Sequence, residues 1–356
     1  MKICPNCFND DEIAGFIISS SQEAGRCPIC ENDNNLLIDI EGLEEFFREF
    51  FTIFKYDDLA GKPLIDLIQE DWNIFTSRDY GKKILNDNLL IIDLNEQLGL
   101  SLSAILVDAE IRVSFIDEIR DSVNYWDELK EDLKYKRRFL TNIDNLIDYG
   151  WDKAFDVFTL IDSSYSLFRS RINIEGNKTP YPKDQMGVPP ISNSSSGRAN
   201  PQGINYLYLS REAKTTLYET RTAFLDYVSV GEFKVDGATE LQIVDFTQKI
   251  SPFPNIDNII AFTKNRFIRE VVSHDLSQPL RRYDSEIEYI PTQFICEYIK
   301  FFASPAVSGN IDGIQFNSSL HKGGINVVLF DDKRIKCIDV KTHQINKIDI
   351  DSKTLP

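Results

Sequence analysis

Four cysteines, three arginines and one glutamate carry the types and spacing in this chain that offer chemistry. Cys4-Pro-Asn-Cys7 is followed, nineteen residues later, by Cys27-Pro-Ile-Cys30. Two C-x-x-C pairs at that distance have the spacing of a four-cysteine ribbon, each pair aiming two thiolates at one ion. A closed site of four thiolates leaves no open coordination position, so Cys4, Cys7, Cys27 and Cys30 are expected to hold a structural zinc. The spacing does not choose between zinc and iron. A redox pair is the weaker reading, since no βαβ pattern surrounds either motif. Cys296 and Cys337 stand alone and read as core residues.

Arg169 and Arg171 lie in "LFRSRIN". In a strand they share one face with Leu167, because side chains alternate with period two. A buried arginine beside apolar neighbours requires an anionic partner. Arg198 follows Gly197, where a small neighbour lets a ligand approach the backbone. Glu219 lies on a predicted helix whose apolar stripe runs Ala213, Leu217, Thr220, Phe224. It falls about 200° round from Leu217, and helix geometry alone turns it toward solvent.

Other routes to catalysis are thin. The chain lacks the phosphate-binding G-x-x-x-x-G-K-[ST], the nucleophile elbow G-x-S-x-G and the zinc-protease H-E-x-x-H. Its three histidines are His274, His321 and His343, so nothing before residue 274 can host histidine-dependent chemistry. His321, in "SSLHKGG", reads as a solvated loop residue.

The elements that must position these residues differ between the two halves. In "EGLEEFFREFFTIFKY", Phe46, Phe47, Phe50, Phe51 and Phe54 form one wide helix face opposite an acidic one. "SAILVDAEIRVSFIDEIRDS" and "WDELKEDLKYKRRFLTNIDNLIDY" also read as helices, with "KYKRR" a solvated face. From about residue 161 the pattern mixes strands and helices. "SYSLFRSRIN" and "NYLYLS" are predicted strands on either side of a Gly-, Pro- and Ser-rich loop, 176–204. Long loops between strands carry function more often than they link domains. "REAKTTLYETRTAF" is a predicted helix with Ser210 placed to cap it. "VDGATELQIVDF", "IDGIQFNSS" and "GGINVVLF" are predicted strands, and "IPTQFICEYIKFF" a helix. Without regular βαβ alternation the class is α+β.

Composition narrows the partners. The chain has 356 residues and a net charge of −17. Residues 1–160 hold 16 Lys+Arg against 33 Asp+Glu, and residues 161–356 hold 23 of each. An acidic body repels phosphate backbones, so non-specific nucleic-acid binding is not expected. A run of about 18 apolar residues, the length of a membrane span, is absent. "MKICPNC" lacks the apolar segment of a secretory signal, so a cytoplasmic chain without membrane contact is expected.

Five pieces in order carry a resemblance: "LFRSR", "SGRANPQGINYLYLS", "TTLYETR", "YIPTQFICEYIK" and "DGIQFNSSLHKGGINVVLF". Together they resemble the RES domain, named for its Arg, Glu and Ser, over about residues 160–335. The part before is similar to the HEPN-like helical domain of some RES proteins. With the cysteine spacing giving a zinc ribbon over 1–35, the resemblance implies an acidic all-helical segment over 36–158 and a mixed α/β RES domain over 159–350, similar in fold to ADP-ribosyltransferases. The family's toxin members degrade NAD. By motif, Arg169 and Arg198 match its arginines and Glu219 its glutamate, as catalytic residues. Ser318 or Ser319 matches its serine. Ala199 and Ser170 stand where relatives carry aromatics, and Tyr181 or Tyr208 could supply a ring to the substrate. The resemblance implies an NAD-consuming toxin or defence effector, a glycohydrolase or phosphorylase. It also implies an antitoxin or regulatory protein as partner, and a homodimer. Two alternatives stay open: an ADP-ribosyltransferase acting on a macromolecule, and a non-catalytic adaptor that binds a nucleotide.

Overall fold

The computed structural model describes residues 1–100, 107–190, 196–237, 239–279, 286–303 and 310–348. They divide into two units, Met1–Val123 with Lys249–Arg266, and Asn124–Gln248 with Phe267–Pro356.

In the first unit, the strands β1 (Lys2–Ile3), β2 (Glu23–Gly25) and β3 (Asn35–Asp39) form a sheet of order β1-β3-β2. Helix α1 (Asp11–Ser20) starts where the Asp10 carboxylate accepts from the amides of Glu12 and Ile13. The phenylalanine stripe folds as α2 (Glu44–Phe51), burying Phe46, Phe47, Phe50 and Phe51 while Glu45 stays near water. Phe54 leaves the helix. It lies on β4 (Phe54–Tyr56), which with β5 (Lys62–Pro63) pairs antiparallel to β6 (Arg112–Phe115). The middle segment is therefore not all-helical. "EIRVSF" is a strand because its alternation buries Ile111 and Val113 at period two. The earlier part of "SAILVDAE", through residue 106, lies outside the described residues. Short helices α3 (Leu64–Leu67), α4 (Arg78–Leu85) and α5 (Asn88–Gln97) complete the unit, α4 capped by Ser77 and α5 by Asp87.

Helix α6 (Asp117–Tyr135) ends at the basic cluster, and α7 (Asp144–Asp148) follows after a break, so 126–149 is not one helix. In the second unit, Asp275 on α9 (Ile259–Ser277) accepts from the Trp126 indole at 2.7 Å and from Lys130 at 3.0 Å.

The second unit is built on an eight-stranded mixed sheet. Its strands are β7 (Phe158–Ile161), β8 (Leu167–Ile172), β9 (Leu207–Ser210), β10 (Tyr227–Val235), β11 (Leu241–Asp245), β12 (Gly313–Asn317), β13 (Ile325–Leu329) and β14 (Ile335–Gln344). The order is β14-β10-β8-β9-β13-β12-β11-β7, antiparallel except for β11 beside β12. One face buries Leu167, Leu207, Leu209, Ile243, Val327 and Leu329. The other receives α8 (Ala213–Glu219), whose Ala213 and Leu217 pack with Phe168, Val228 and Val230. Helix α10 (Ile290–Phe302) buries Ile295, Cys296 and Ile299. Helix α8 has only seven residues and starts without a side-chain cap. Ser210 does not cap it; Ser210 is the last residue of β9, buried, with its hydroxyl turned to Asn326. Among the described residues no helix is long and apolar enough to cross a membrane.

Candidate functional site

Strands β8 and β9 meet at one paired position, Phe168 opposite Ser210. Beyond it the two strands no longer pair, and a cleft of about 330 Å³ opens there. It is lined by Arg169 and Ser170 from β8, Tyr208, Leu209 and Ser210 from β9, and Thr216, Glu219 and Thr220 from the end of α8. Phe316, Ser319, Asn326 and Arg198 close it. Neighbouring residues of a strand point to opposite faces. That Arg169 and Ser170 both reach one cavity follows from the parting of the strands. The arginines, the glutamate and one serine of the motif-based set thus share one cavity.

The loop carrying Arg198 is held by side chains far away in sequence. Thr292 donates its hydroxyl to the Arg198 carbonyl at 2.7 Å, and the Gln293 amide donates to Ser196 Oγ and to the carbonyls of Gly197 and Asn200. Tyr208 donates its hydroxyl to Asn200 Oδ1 at 2.7 Å and accepts from the Ala199 amide at 3.0 Å. Burial pushes the Tyr208 phenol well above its usual range. A Cβ at residue 197 would lie 2.5 Å from that hydroxyl. The glycine expected to admit a ligand admits the tyrosine instead.

Arg198 Nη1 donates to the Leu276 carbonyl at 2.9 Å, at the end of α9, and Nη2 reaches Ser319 Oγ at 3.4 Å. Arg169 Nη1 donates to the Gly187 carbonyl at 2.7 Å. Among the described residues neither guanidinium has a carboxylate within ion-pair distance. Burial lowers the Arg169 guanidinium to about 10, with Arg171 adding to the effect and Asp332 opposing it. Burial also lowers Arg198, with Glu219 acting the other way. Two partly desolvated cations facing one cleft favour an anion between them.

Glu219 accepts at Oε1 from the Ser318 hydroxyl at 2.6 Å and from Asn326 Nδ2 at 2.8 Å. Among the described residues no bond reaches its Oε2. Ser318 in turn accepts from the amides of Leu320 and His321, which ties the carboxylate to the turn after β12. His321 is not simply solvated: its Nδ1 meets Thr215 Oγ1 at 2.9 Å and its ring stacks on Tyr218.

The structure does not bring Tyr181 to the cleft. Its ring lies under the Arg171 guanidinium at 5.0 Å and packs against the apolar face of the sheet. Arg171 itself turns to the Gln185 carbonyl. Tyr208 lines the cleft, with its hydroxyl committed to the loop. The motif reading missed Asn326, Ser210, Thr216, Thr292 and Gln293. Asn326 had a signal: it is the one polar side chain in the apolar run "INVVLF", and a buried amide requires partners.

In the first unit, the sulfurs of Cys4 and Cys30 lie 3.5 Å apart, and those of Cys4 and Cys7, and of Cys7 and Cys27, 3.7 Å. All four lie within 4.8 Å of one another. Four thiolates about 2.3 Å from a tetrahedral ion stand roughly 3.8 Å apart, so the cluster has the size of a metal site. Burial pushes the Cys4 thiol up to about 12 and Cys7 higher still, whereas at Cys27 burial is outweighed by hydrogen bonds from the backbone of Cys30 and Ile29, which hold it below its usual value. The four cysteines could hold a metal ion.

No curated protein and no solved structure matches the chain. A family model described as RES domain matches residues 172–351. That span takes in Arg198, Glu219, Ser318, Ser319 and Asn326 and begins just after Arg169. It covers half of the 356 residues and most of the strands that frame the cleft, and on this match the chain belongs to the RES domain family.

Proposed function

We propose that this protein cleaves the bond between nicotinamide and ribose in NAD, as a toxin or defence effector. The reading is supported by two partly buried guanidinium groups, without carboxylate partners among the described residues, lining one cleft with a carboxylate. Arginine suits a diphosphate, because its planar fork donates in pairs to phosphate oxygens. Arg169 and Arg198 then hold the diphosphate, and Glu219 faces the nicotinamide ribose. A cleft of about 330 Å³ lies at the small end of ligand sites, so the adenosine end extends beyond it.

The bond from C1′ to the pyridinium nitrogen breaks with its electron pair going to nitrogen, which leaves as neutral nicotinamide. Positive charge develops at C1′ and the ring oxygen. Glu219 lines the cleft with Oε1 held by Ser318 and Asn326, and its Oε2 stabilises that charge. Water or phosphate then adds to C1′ and gives up a proton. Zinc in the cysteine cluster is structural in this reading, and the 159–350 segment has an ADP-ribosyltransferase-like fold. An antitoxin or regulatory protein restrains the enzyme, which works as a homodimer in the cytoplasm.

Purified protein is incubated with NAD labelled in the adenylate. Free ADP-ribose or its phosphate is expected, with free nicotinamide in equal amount. Glu219→Gln should lower kcat at least 100-fold, about 2.7 kcal/mol of barrier, with NAD affinity largely kept. Full turnover by that variant rules out the assignment of Glu219. Label retained on a macromolecule identifies a transferase, and NAD binding without turnover identifies an adaptor.

A further inference from the structure

Phe168, Ser210, Asn326 and Phe316 lie directly opposite one another on four adjacent strands. On this row Ser210 and Asn326 form a buried polar pair between two phenylalanines. The Ser210 hydroxyl donates to Asn326 Oδ1 at 2.8 Å, and Asn326 Nδ2 donates to Glu219 Oε1 at 2.8 Å. The chemistry fixes this order. An ionised carboxylate only accepts, so the NH₂ of the amide must face Glu219. Its oxygen then faces Ser210, whose hydroxyl must donate. Neither residue needs this pair for packing, because a buried polar pair on a sheet row is replaced by apolar side chains at little cost.

We propose that Asn326 is the positioning residue that holds the Glu219 carboxylate in the cleft, and that Ser210 fixes the sense of its amide. The proposal rests on the NAD-cleaving reading. Asn326 and the Ser318 hydroxyl fill Oε1 from two sides, which leaves Oε2 toward the substrate. Ser318 comes from a turn after β12, whereas Asn326 comes from the middle of the sheet, so the rigid restraint is the asparagine.

The test compares Asn326→Asp and Ser210→Ala, each checked for folding by its thermal melt, by NAD turnover at pH 8. Asn326→Asp puts an acceptor against Glu219. It should lower kcat about 10- to 100-fold while KM stays within about threefold. Ser210→Ala frees the amide to turn over and should lower kcat by a smaller factor. In a Glu219→Asp background the shortened carboxylate is out of reach of the amide, so Asn326→Asp should add little further loss. Full kcat in both folded single variants, or an equal loss from Asn326→Asp in both backgrounds, overturns the proposal while NAD cleavage by Glu219 stands. A parent protein that does not cleave NAD, or a Glu219→Gln variant as active as the parent, overturns the underlying reading and this inference with it.

Discussion

Removing Arg198 separates a diphosphate clamp from a structural arginine. The guanidinium already spends donors on the Leu276 carbonyl and on Ser319 Oγ, which orients its fork and leaves part of its five N–H groups for a ligand. Because the group is partly desolvated, a phosphate oxygen there is screened less than at a surface. A hydrogen bond to a charged group contributes about 1.5–3 kcal/mol, so Arg198→Ala should weaken ADP-ribose binding about 10- to 150-fold at 25 °C. Arg198→Lys keeps the charge but loses the fork. With two protein acceptors competing for one ammonium, it should restore only part of the affinity. The assay is titration calorimetry with ADP-ribose, which carries the diphosphate but cannot turn over, beside nicotinamide riboside, which lacks it. Only ADP-ribose should lose affinity. An equal loss for both ligands would make Arg198 part of the scaffold, and unchanged ADP-ribose affinity would remove it from the diphosphate altogether.

Three more outcomes are expected. Burial disfavours the charged form of Arg169 in the free protein, and the negative charge of a bound diphosphate would offset that cost. Arg169→Ala should weaken ADP-ribose binding about 10- to 150-fold in titration calorimetry while nicotinamide riboside binding stays level, and unchanged ADP-ribose affinity would remove Arg169 from the diphosphate. Gly197→Ala forces a Cβ to within 2.5 Å of the Tyr208 hydroxyl, which must give up its bonds to Ala199 and Asn200. A loss of about 1–3 kcal/mol in urea unfolding is expected, together with a raised KM; unchanged stability would mean that the loop is held elsewhere. Cys4→Ser should remove bound metal, read by elemental analysis, and expose residues 1–35 to protease while NAD cleavage continues. Retained metal would contradict the four-cysteine site, and lost cleavage would tie it to the chemistry.

In the second unit β8, β9, β11, β12, β13 and α10 are legible as short apolar runs bounded by turn residues, whereas β7, β10, β14 and α9 are not among the expected elements. Strands β9, β12 and β13 are buried along most of their length because both faces of the sheet are covered, so they read as continuous apolar runs and not as alternation. What alternation does not contain is register. The pairing of Ser210 with Asn326 joins residues 116 apart, and nothing local in either strand specifies it. The same holds for Gln293, which secures a loop nearly a hundred residues earlier. In the first unit, part of a run expected as a helix folds as β6, the central strand between β4 and β5, because Ile111, Val113 and Phe115 alternate with polar residues.

Glu219 shows why the apolar pattern failed where it mattered most. Counted from Leu217, the residue turns to solvent, and that count assumed a helix continuing to Phe224. Helix α8 stops at Glu219, and its most deeply buried residues are Thr215 and Thr216, four and three positions before it. Residues at those spacings share a face. The stripe that meets the sheet near the cleft is therefore polar: two threonines and a glutamate, facing a serine and an asparagine. A search for apolar periodicity reads such a stripe as surface. The sequence departs from the apolar rule on α8 and on the row of β9 and β13 beneath it: Ser210 bonds Asn326 and Asn326 bonds Glu219, while the hydroxyls of Ser170 and Thr216 donate to carbonyls of α8. Two facing departures from the packing rule, joined by hydrogen bonds and opening on paired arginines, are what a binding cleft requires and what a packed core would not retain.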